Sequence, residues 1–244
     1  MIRVGRCQYE NGKRVDPSFP GFTKILVLTA SSEFASLSPY CLKNDKGQIM
    51  ENIYQFQKVY ETVPASTQKY SRYDARIIWK WPAERHAIQK EDGSYDILPA
   101  YFKWREAGMN AKDAIRYPVG FNHRSKCLFA LKEEDDDWKV LDYIQGRKEI
   151  YVPLYTELVK QQEQFFELKE RLANGENLLI IEIDGAHQES LPYYMDRYHV
   201  DEAFIQNSTM LATEENLTIM LNDTKHPYGH GYCLASALLD INTN

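Results

Sequence analysis

The chain has 244 residues, with 29 Lys+Arg against 35 Asp+Glu, a formal net charge of −6, and 43% hydrophobic and 13% aromatic side chains. That length and mixture exclude a disordered or collagen-like chain and a staple-dependent mini-protein, since a chain of this size buries roughly 70–75% of its unfolded surface unaided. The apolar runs around 24–28 and 178–181 are far shorter than the roughly 20 residues of a membrane-spanning helix, and the polar start at 1–6 holds no signal-peptide core.

In chain order, residues 1–22, with Gly5, Gly12, Pro17, Pro20 and Gly21, read as an irregular arm before a strand at 23–29. A serine-rich loop and a Lys43–Gly47 turn follow, then a helical pattern over 49–60. A strand is expected at 75–81, ended by Pro82, and two short helices at 98–107 and 110–116, broken at Gly108. The segment 127–131 is apolar, and Glu133–Asp137 is an acidic run that suits an exposed loop. Helical patterns then cover 142–160, kinked or split by Pro153, and 161–173, stopped by Asn174-Gly175. Five apolar residues in seven at 178–184 read as a buried strand. Helices are expected at 189–198, at 213–222, where Thr213 offers an N-cap followed by two acids, and at 231–241. With helix dominant and strands few, the expected fold class is α+β, helix-rich: a single domain over 23–244 carrying an inserted basic and aromatic region at 62–132.

Charge divides unevenly: residues 1–132 carry 21 basic and 13 acidic side chains, residues 133–244 carry 8 and 22. An anionic partner is therefore expected to meet the N-terminal half. Within it Arg72, Arg76, Lys80, Arg105 and Arg116 interleave with Tyr and Trp, a mixture suited to nucleic-acid backbones and stacked bases, and equally found where the aromatics are core. Cys7, Cys41, Cys127 and Cys233 stand too far apart for a Cys-x-x-Cys site and read as reduced thiols of an intracellular protein, cytoplasmic or nuclear. His226 and His230 are separated by Pro227 and Gly229, and no zinc-hydrolase Glu adjoins them, so no metal or other cofactor is expected.

Three segments carry candidate chemistry. On the 49–60 helix, Ile49, Ile53, Phe56 and Tyr60 gather on one face, while Glu51, Tyr54, Gln55 and Lys58 share the other at i, i+3, i+4, i+7. This second face is either a solvated charge pair or a site that sets an acid and an amine beside a phenol and an amide. The turn Tyr228-Gly229-His230-Gly231 before an apolar helix is either a glycine-permitted turn or a phosphate seat made of backbone N–H groups. Asp184 and the polar residues after it follow a buried strand, where ligand contacts often sit, or form a capped turn.

The blocks Glu33-Phe34-Ala35-Ser36-Leu37-Ser38-Pro39-Tyr40 and Met50-Glu51-Asn52-Ile53-Tyr54-Gln55-Phe56-Gln57-Lys58 resemble the opening of NADAR (NAD and ADP-ribose associated) domains, where a Leu-Ser-Asn-Phe-like loop precedes a Glu-x-x-Tyr-Gln-x-x-Lys helix. The 147–160 stretch and the 228–231 turn look like later landmarks of that family, with Tyr228 where it usually has Trp. The resemblance implies an N-glycosidase acting on ribosides, either on phosphorylated riboflavin precursors or on guanine bases of nucleic acid that carry ADP-ribose. The basic N-terminal half favours the latter. It further implies Glu51 and Lys58 as the catalytic pair, Lys58 either forming a Schiff base or staying charged to stabilise the leaving group while Glu51 handles the proton, and Ser38, Tyr54, Gln55, Asp184, Asp223, Tyr228, Gly229, His230 and Gly231 around the substrate. Partners are then ADP-ribosylated nucleic acid or a small ADP-ribose compound, with no membrane association; a monomer is favoured, the oligomeric state being left open by the sequence. A non-catalytic reader of ADP-ribose, or a structural protein whose aromatics are core, are the readings from other classes.

Overall fold

A computed structural model describes residues 1–28, 33–66, 69–71, 74–135 and 137–241, with only the backbone course given at 69–71 and 74–78. The chain forms two compact units, one from residues 1–42 and 152–244, the other from the intervening 43–151, where a single domain was expected. Residues 1–42 give β1 (Ile2–Arg6), β2 (Gln8–Glu10), β3 (Lys13–Val15) and β4 (Thr23–Leu26). Residues 43–151 give α1 (Met50–Phe56), β5 (Lys58–Tyr60), β6 (Thr62–Val63), β7 (Lys69–Ser71), β8 (Asp74–Ile78), β9 (Glu84–Arg85), β10 (Ala87–Gln89), β11 (Tyr95–Ile97), α2 (Pro99–Met109), β12 (Cys127–Glu134), β13 (Asp137–Leu141) and α3 (Tyr143–Gly146), which runs into a π-helical turn at Arg147–Tyr151. Residues 152–244 give α4 (Val152–Val159), α5 (Glu163–Ala173), β14 (Leu178–Glu182), α6 (Leu191–Tyr198), β15 (Thr209–Leu211), α7 (Glu214–Asn222) and α8 (His230–Leu238). The class is α+β, but strand segments are numerous and short rather than few. Among the described residues no helix is long and apolar enough to cross a membrane.

The first unit is built on a four-stranded sheet ordered β15-β1-β14-β4, in which β1, β14 and β4 run parallel and β15 antiparallel. β14 is buried at all five positions, as its unbroken apolar run requires of a strand covered on both faces. The supposed arm is therefore partly core: β1 pairs Ile2 with Leu178 through Arg6 with Glu182, and only β2 and β3 form a peripheral hairpin. Its charged Arg3 is tolerated at 5% exposure because Nε donates to Thr209 Oγ1 (2.7 Å) and Nη2 to the Thr209 carbonyl (3.2 Å), with the guanidinium 3.8 Å over the Phe19 ring. α8, with every residue from Gly231 to Leu238 buried, packs against β1, β14, α4 and α7.

In the second unit the helical pattern of 49–60 ends early. α1 stops at Phe56, Gln57 caps it, and Lys58-Val59-Tyr60 turns into β5, the edge partner of β12 in the β13-β12-β5 sheet. Val59 and Tyr60 favour strand over helix, and pairing with β12 outweighs the local 3.6-residue pattern. α2 is one helix running through Gly108, whose missing Cβ leaves room for the Phe56 ring. The 110–116 segment is not helical, because the buried Asn52 amide donates to the carbonyls of Ala111 (3.3 Å) and Asp113 (3.0 Å) while its oxygen accepts the Ile115 N–H (2.6 Å). Pro153 follows closely on the π-helical turn at Arg147–Tyr151, so the helix is widened just before the proline and is not split at it. The acidic run closes the β12–β13 hairpin, with Glu134 opposite Asp137 and Lys132 Nζ donating to Glu134 at 2.6 Å; Asp136 lies outside the described residues.

Candidate functional site

Two clusters emerge, one in each unit, and the residues expected around one substrate divide between them. In the 43–151 unit, Glu51 and Tyr54 project from α1 and Lys58 opens β5. Gln55 joins acid to amine: its Nε2 donates to Glu51 Oε1 (3.0 Å) and its Oε1 accepts from Lys58 Nζ (2.9 Å). The amide orientation follows from the carboxylate, which when ionised can only accept, and from the protonated amine, which can only donate. Lys58 Nζ lies 4.4 Å from the centroid of the Tyr54 ring, which leans on Tyr151 at 4.7 Å. Glu51 is 6% exposed and Arg147 2%, the latter donating to Tyr143 Oη at 2.7 Å.

Burial pushes the Lys58 amine below its ordinary value and Arg147 adds to this, against opposition from Cys127 and Glu51. Burial likewise pushes the Cys127 thiol up, with Lys58 opposing. The four residues expected on one helical face therefore do meet, although Lys58 reaches Gln55 from a strand and not from a further helical turn. Arg147, Tyr143 and Cys127 were missed. Their only trace in the sequence is an Arg and a Tyr at i, i+4 in the 142–160 stretch.

The second cluster lies where the parallel strands of the other unit end. Glu182, the last residue of β14, is fully buried; its Oε1 accepts the Gly231 N–H at 2.9 Å and its Oε2 is 3.1 Å from His230 Nδ1, while His230 Nε2 donates to the Val27 carbonyl at 2.6 Å. A Cβ at Gly229 would overlap the Glu182 carboxylate and one at Gly231 would come within 2.7 Å of it. This corrects the expected phosphate seat: the N-terminus of α8 is already filled by the chain's own anion, and the glycines serve that contact. Tyr228 is buried and stacked on Tyr232 at 5.2 Å, and Ser38 is buried with its Oγ accepting the Tyr40 N–H at 3.3 Å. Glu182 was overlooked although a lone acid ending an apolar strand was visible.

His230 is pulled down by burial but raised more by Glu182, with the Val27 carbonyl and Asp184 in support, for a net rise. A raised folded value means that the pair stabilises the fold fully below the ordinary histidine value of 6.5 and loses this as pH rises through the folded value. The urea midpoint of the wild type should therefore exceed that of His230→Asn by a margin that shrinks from about pH 5.5 to about pH 9. A margin that widens over that range contradicts the ion pair.

Asp223, also fully buried, accepts from Tyr193 (2.6 Å), Tyr194 (3.2 Å) and Tyr198 (3.1 Å), from His226 Nδ1 (2.8 Å) and from the backbone of Lys225 and His226. Burial raises its carboxyl, but the bonds from Tyr193, His226 and the backbone outweigh this and hold it down at about 2. Asp184 lines a small cavity with Arg6, His187 and His226. His226 and His230 thus answer to different carboxylates, and among the described residues no group of three His, Cys, Asp or Glu is placed to hold a metal ion.

Of the expected nucleic-acid contacts, Arg72 lies outside the described residues and Arg76 is seen only as backbone in β8. Lys80 is exposed, Arg105 lies 4.8 Å over the Trp138 ring and 3.9 Å from Glu133, and Arg116 lies 5.2 Å over Tyr117. Trp79 and Trp104 are core side chains, 5.1 and 4.5 Å from the Phe56 ring. The four cysteines are free thiols. No model of a known protein family, no curated protein and no solved structure matches this chain.

Proposed function

We propose that the protein is an N-glycosidase that cleaves the bond between a ribose and a base, with ADP-ribose attached to guanine in nucleic acid as its preferred substrate. The observation that carries this reading is the Lys58–Gln55–Glu51 chain: a lysine amine lowered by burial and by Arg147, set against a tyrosine ring and aimed by an amide that a buried carboxylate orients. Such a setting favours the neutral, nucleophilic amine relative to an exposed lysine, the form that covalent catalysis at an anomeric carbon needs. Glu51 acts through Gln55, since an amide is a poor proton carrier and a firm positioning group. The similarity of 33–40 and 50–58 to NADAR domains supplies the substrate class.

The test is incubation with an oligonucleotide bearing ADP-ribose on guanine, with products resolved by mass spectrometry. Release of free ADP-ribose and of the unmodified oligonucleotide is expected. Tight binding of ADP-ribose without release would make the protein a reader instead, and absence of both would defeat the reading altogether.

A further inference from the structure

The cavity lined by Arg6, Asp184, His187 and His226 lies beyond the carboxyl ends of two parallel strands, β1 ending at Arg6 and β14 at Glu182. Open parallel sheets place ligands at that edge, where loops diverge and leave a crevice. Its volume is about 140 Å3, well above what a single ordered water needs. The crevice has firm walls. The Arg6 N–H donates to the Ala186 carbonyl (2.9 Å) and the Cys7 N–H to the Glu182 carbonyl (2.8 Å), and Gly185 comes so close to Gly5 and Arg6 that a Cβ there would overlap the Gly5 carbonyl.

Two features of this wall are unspent. The Arg6 side chain is exposed and makes no ion pair or hydrogen bond with any described residue, unlike the buried Arg3 on the same strand. His187 Nδ1 is shielded from solvent yet has no hydrogen-bond partner. A buried polar atom left unpaired costs free energy unless a ligand or water satisfies it. The third member, His226, is fixed by Asp223 and packs against the rings of Tyr193 (4.9 Å) and Tyr194 (5.1 Å), with its centroid 6.2 Å from that of His187. We propose that this cavity binds a phosphate group, with the Arg6 guanidinium and His187 Nδ1–H as donors and Asp184 accepting a hydroxyl that the ligand carries beside it.

Charge and size agree with this assignment. His187 is pushed down chiefly by burial and then by Arg6 and His226, with Glu189 opposing, so two positive groups stand beside its ring. A guanidinium is the side chain best matched to phosphate oxygens. The roughly 140 Å3 of the cavity has room for a phosphate with a few attached atoms. The proposal uses neither Lys58 nor Glu51 and shares with the glycosidase reading only Asp184, so the two can fail separately.

The experiment titrates the intact protein with inorganic phosphate, with ribose phosphate and with ribose, following the imidazole resonances of His187 and His226 by NMR. Saturable binding of phosphate that shifts the His187 ring is expected, weakened on the order of tenfold or more in Arg6→Gln and in His187→Gln, the scale for losing a hydrogen bond to a charged group. Tighter binding of ribose phosphate would identify a phosphate ester carrying a hydroxyl as the ligand, and equal binding would identify free phosphate. Both Arg6 and His187 lack partners to lose, so the variants are expected to keep the wild-type unfolding midpoint. The absence of saturable phosphate binding, or equal affinity in both folded variants, overturns the proposal.

Discussion

Replacing Gly229 with valine is expected to destabilise the fold by about 3–5 kcal/mol, the usual cost of disrupting a buried charge that depends on its partners. Any Cβ at 229 overlaps the Glu182 carboxylate, so either that group moves away from the Gly231 N–H and His230 or α8 moves away from the sheet. Both routes leave a fully buried carboxylate without its donors. A typical domain has only 5–15 kcal/mol in hand, so the variant should show a sharply lower urea midpoint and poor soluble yield. Gly146→Ala is the control, for a Cβ there would stand 3.7 Å from Ala130 Cβ, an ordinary contact. If Gly229→Val keeps the wild-type midpoint and instead loses affinity for ADP-ribose, the turn holds a ligand rather than Glu182.

Lys58→Ala is expected to lower glycosidase activity by roughly a thousandfold or more while leaving the unfolding midpoint close to that of the wild type, since a covalent nucleophile has no substitute in the site. In the proposed route the neutral amine attacks the anomeric carbon as the bond to the base breaks, one proton of the attacking nitrogen passes to the departing base nitrogen, and the second passes to the ring oxygen as the ribose opens to leave an imine on Lys58. Water then adds to the imine carbon and returns the amine. Cyanoborohydride added during turnover reduces that imine, so a stable adduct should map to Lys58. Gln55→Leu should weaken turnover less, by removing the group that aims the amine without removing the amine. Full activity in Lys58→Ala would end the assignment, and loss of activity with no trapped adduct would leave Lys58 as a charged stabiliser of the leaving group.

What could be seen in advance follows from how local each signal is. β14 and α7 were legible because a bounded apolar run and a Thr cap, whose Oγ1 accepts the Asn216 N–H at 3.2 Å, lie within a few residues of the structure they specify. β1 was not, because Arg3 and Gly5 interrupt its apolar pattern; what makes it a strand is Leu178–Glu182 and Thr209, far away in the chain. The helical pattern through Tyr60 is real as a pattern, yet β12 captures Lys58–Tyr60 as a strand. The same non-locality hid Glu182 behind the glycines of 229–231. The turn itself was visible, but its occupant was 49 residues upstream of Gly231.

The parallel pairing of β1 with β14 sets a schedule for synthesis. Ile2 meets Leu178, so β1 must wait for well over a hundred further residues to be made before its partner exists, whereas β5, α2 and β12 of the intervening unit become available much sooner. High contact order of this kind slows closure, because the entropy of a long loop is lost before any pairing is gained. On the ribosome the 43–151 unit can therefore complete first, with the hydrophobic Ile2 and Val4 left unpaired until Leu178–Ile181 arrives. The nascent chain is most exposed to aggregation and to chaperones during that interval.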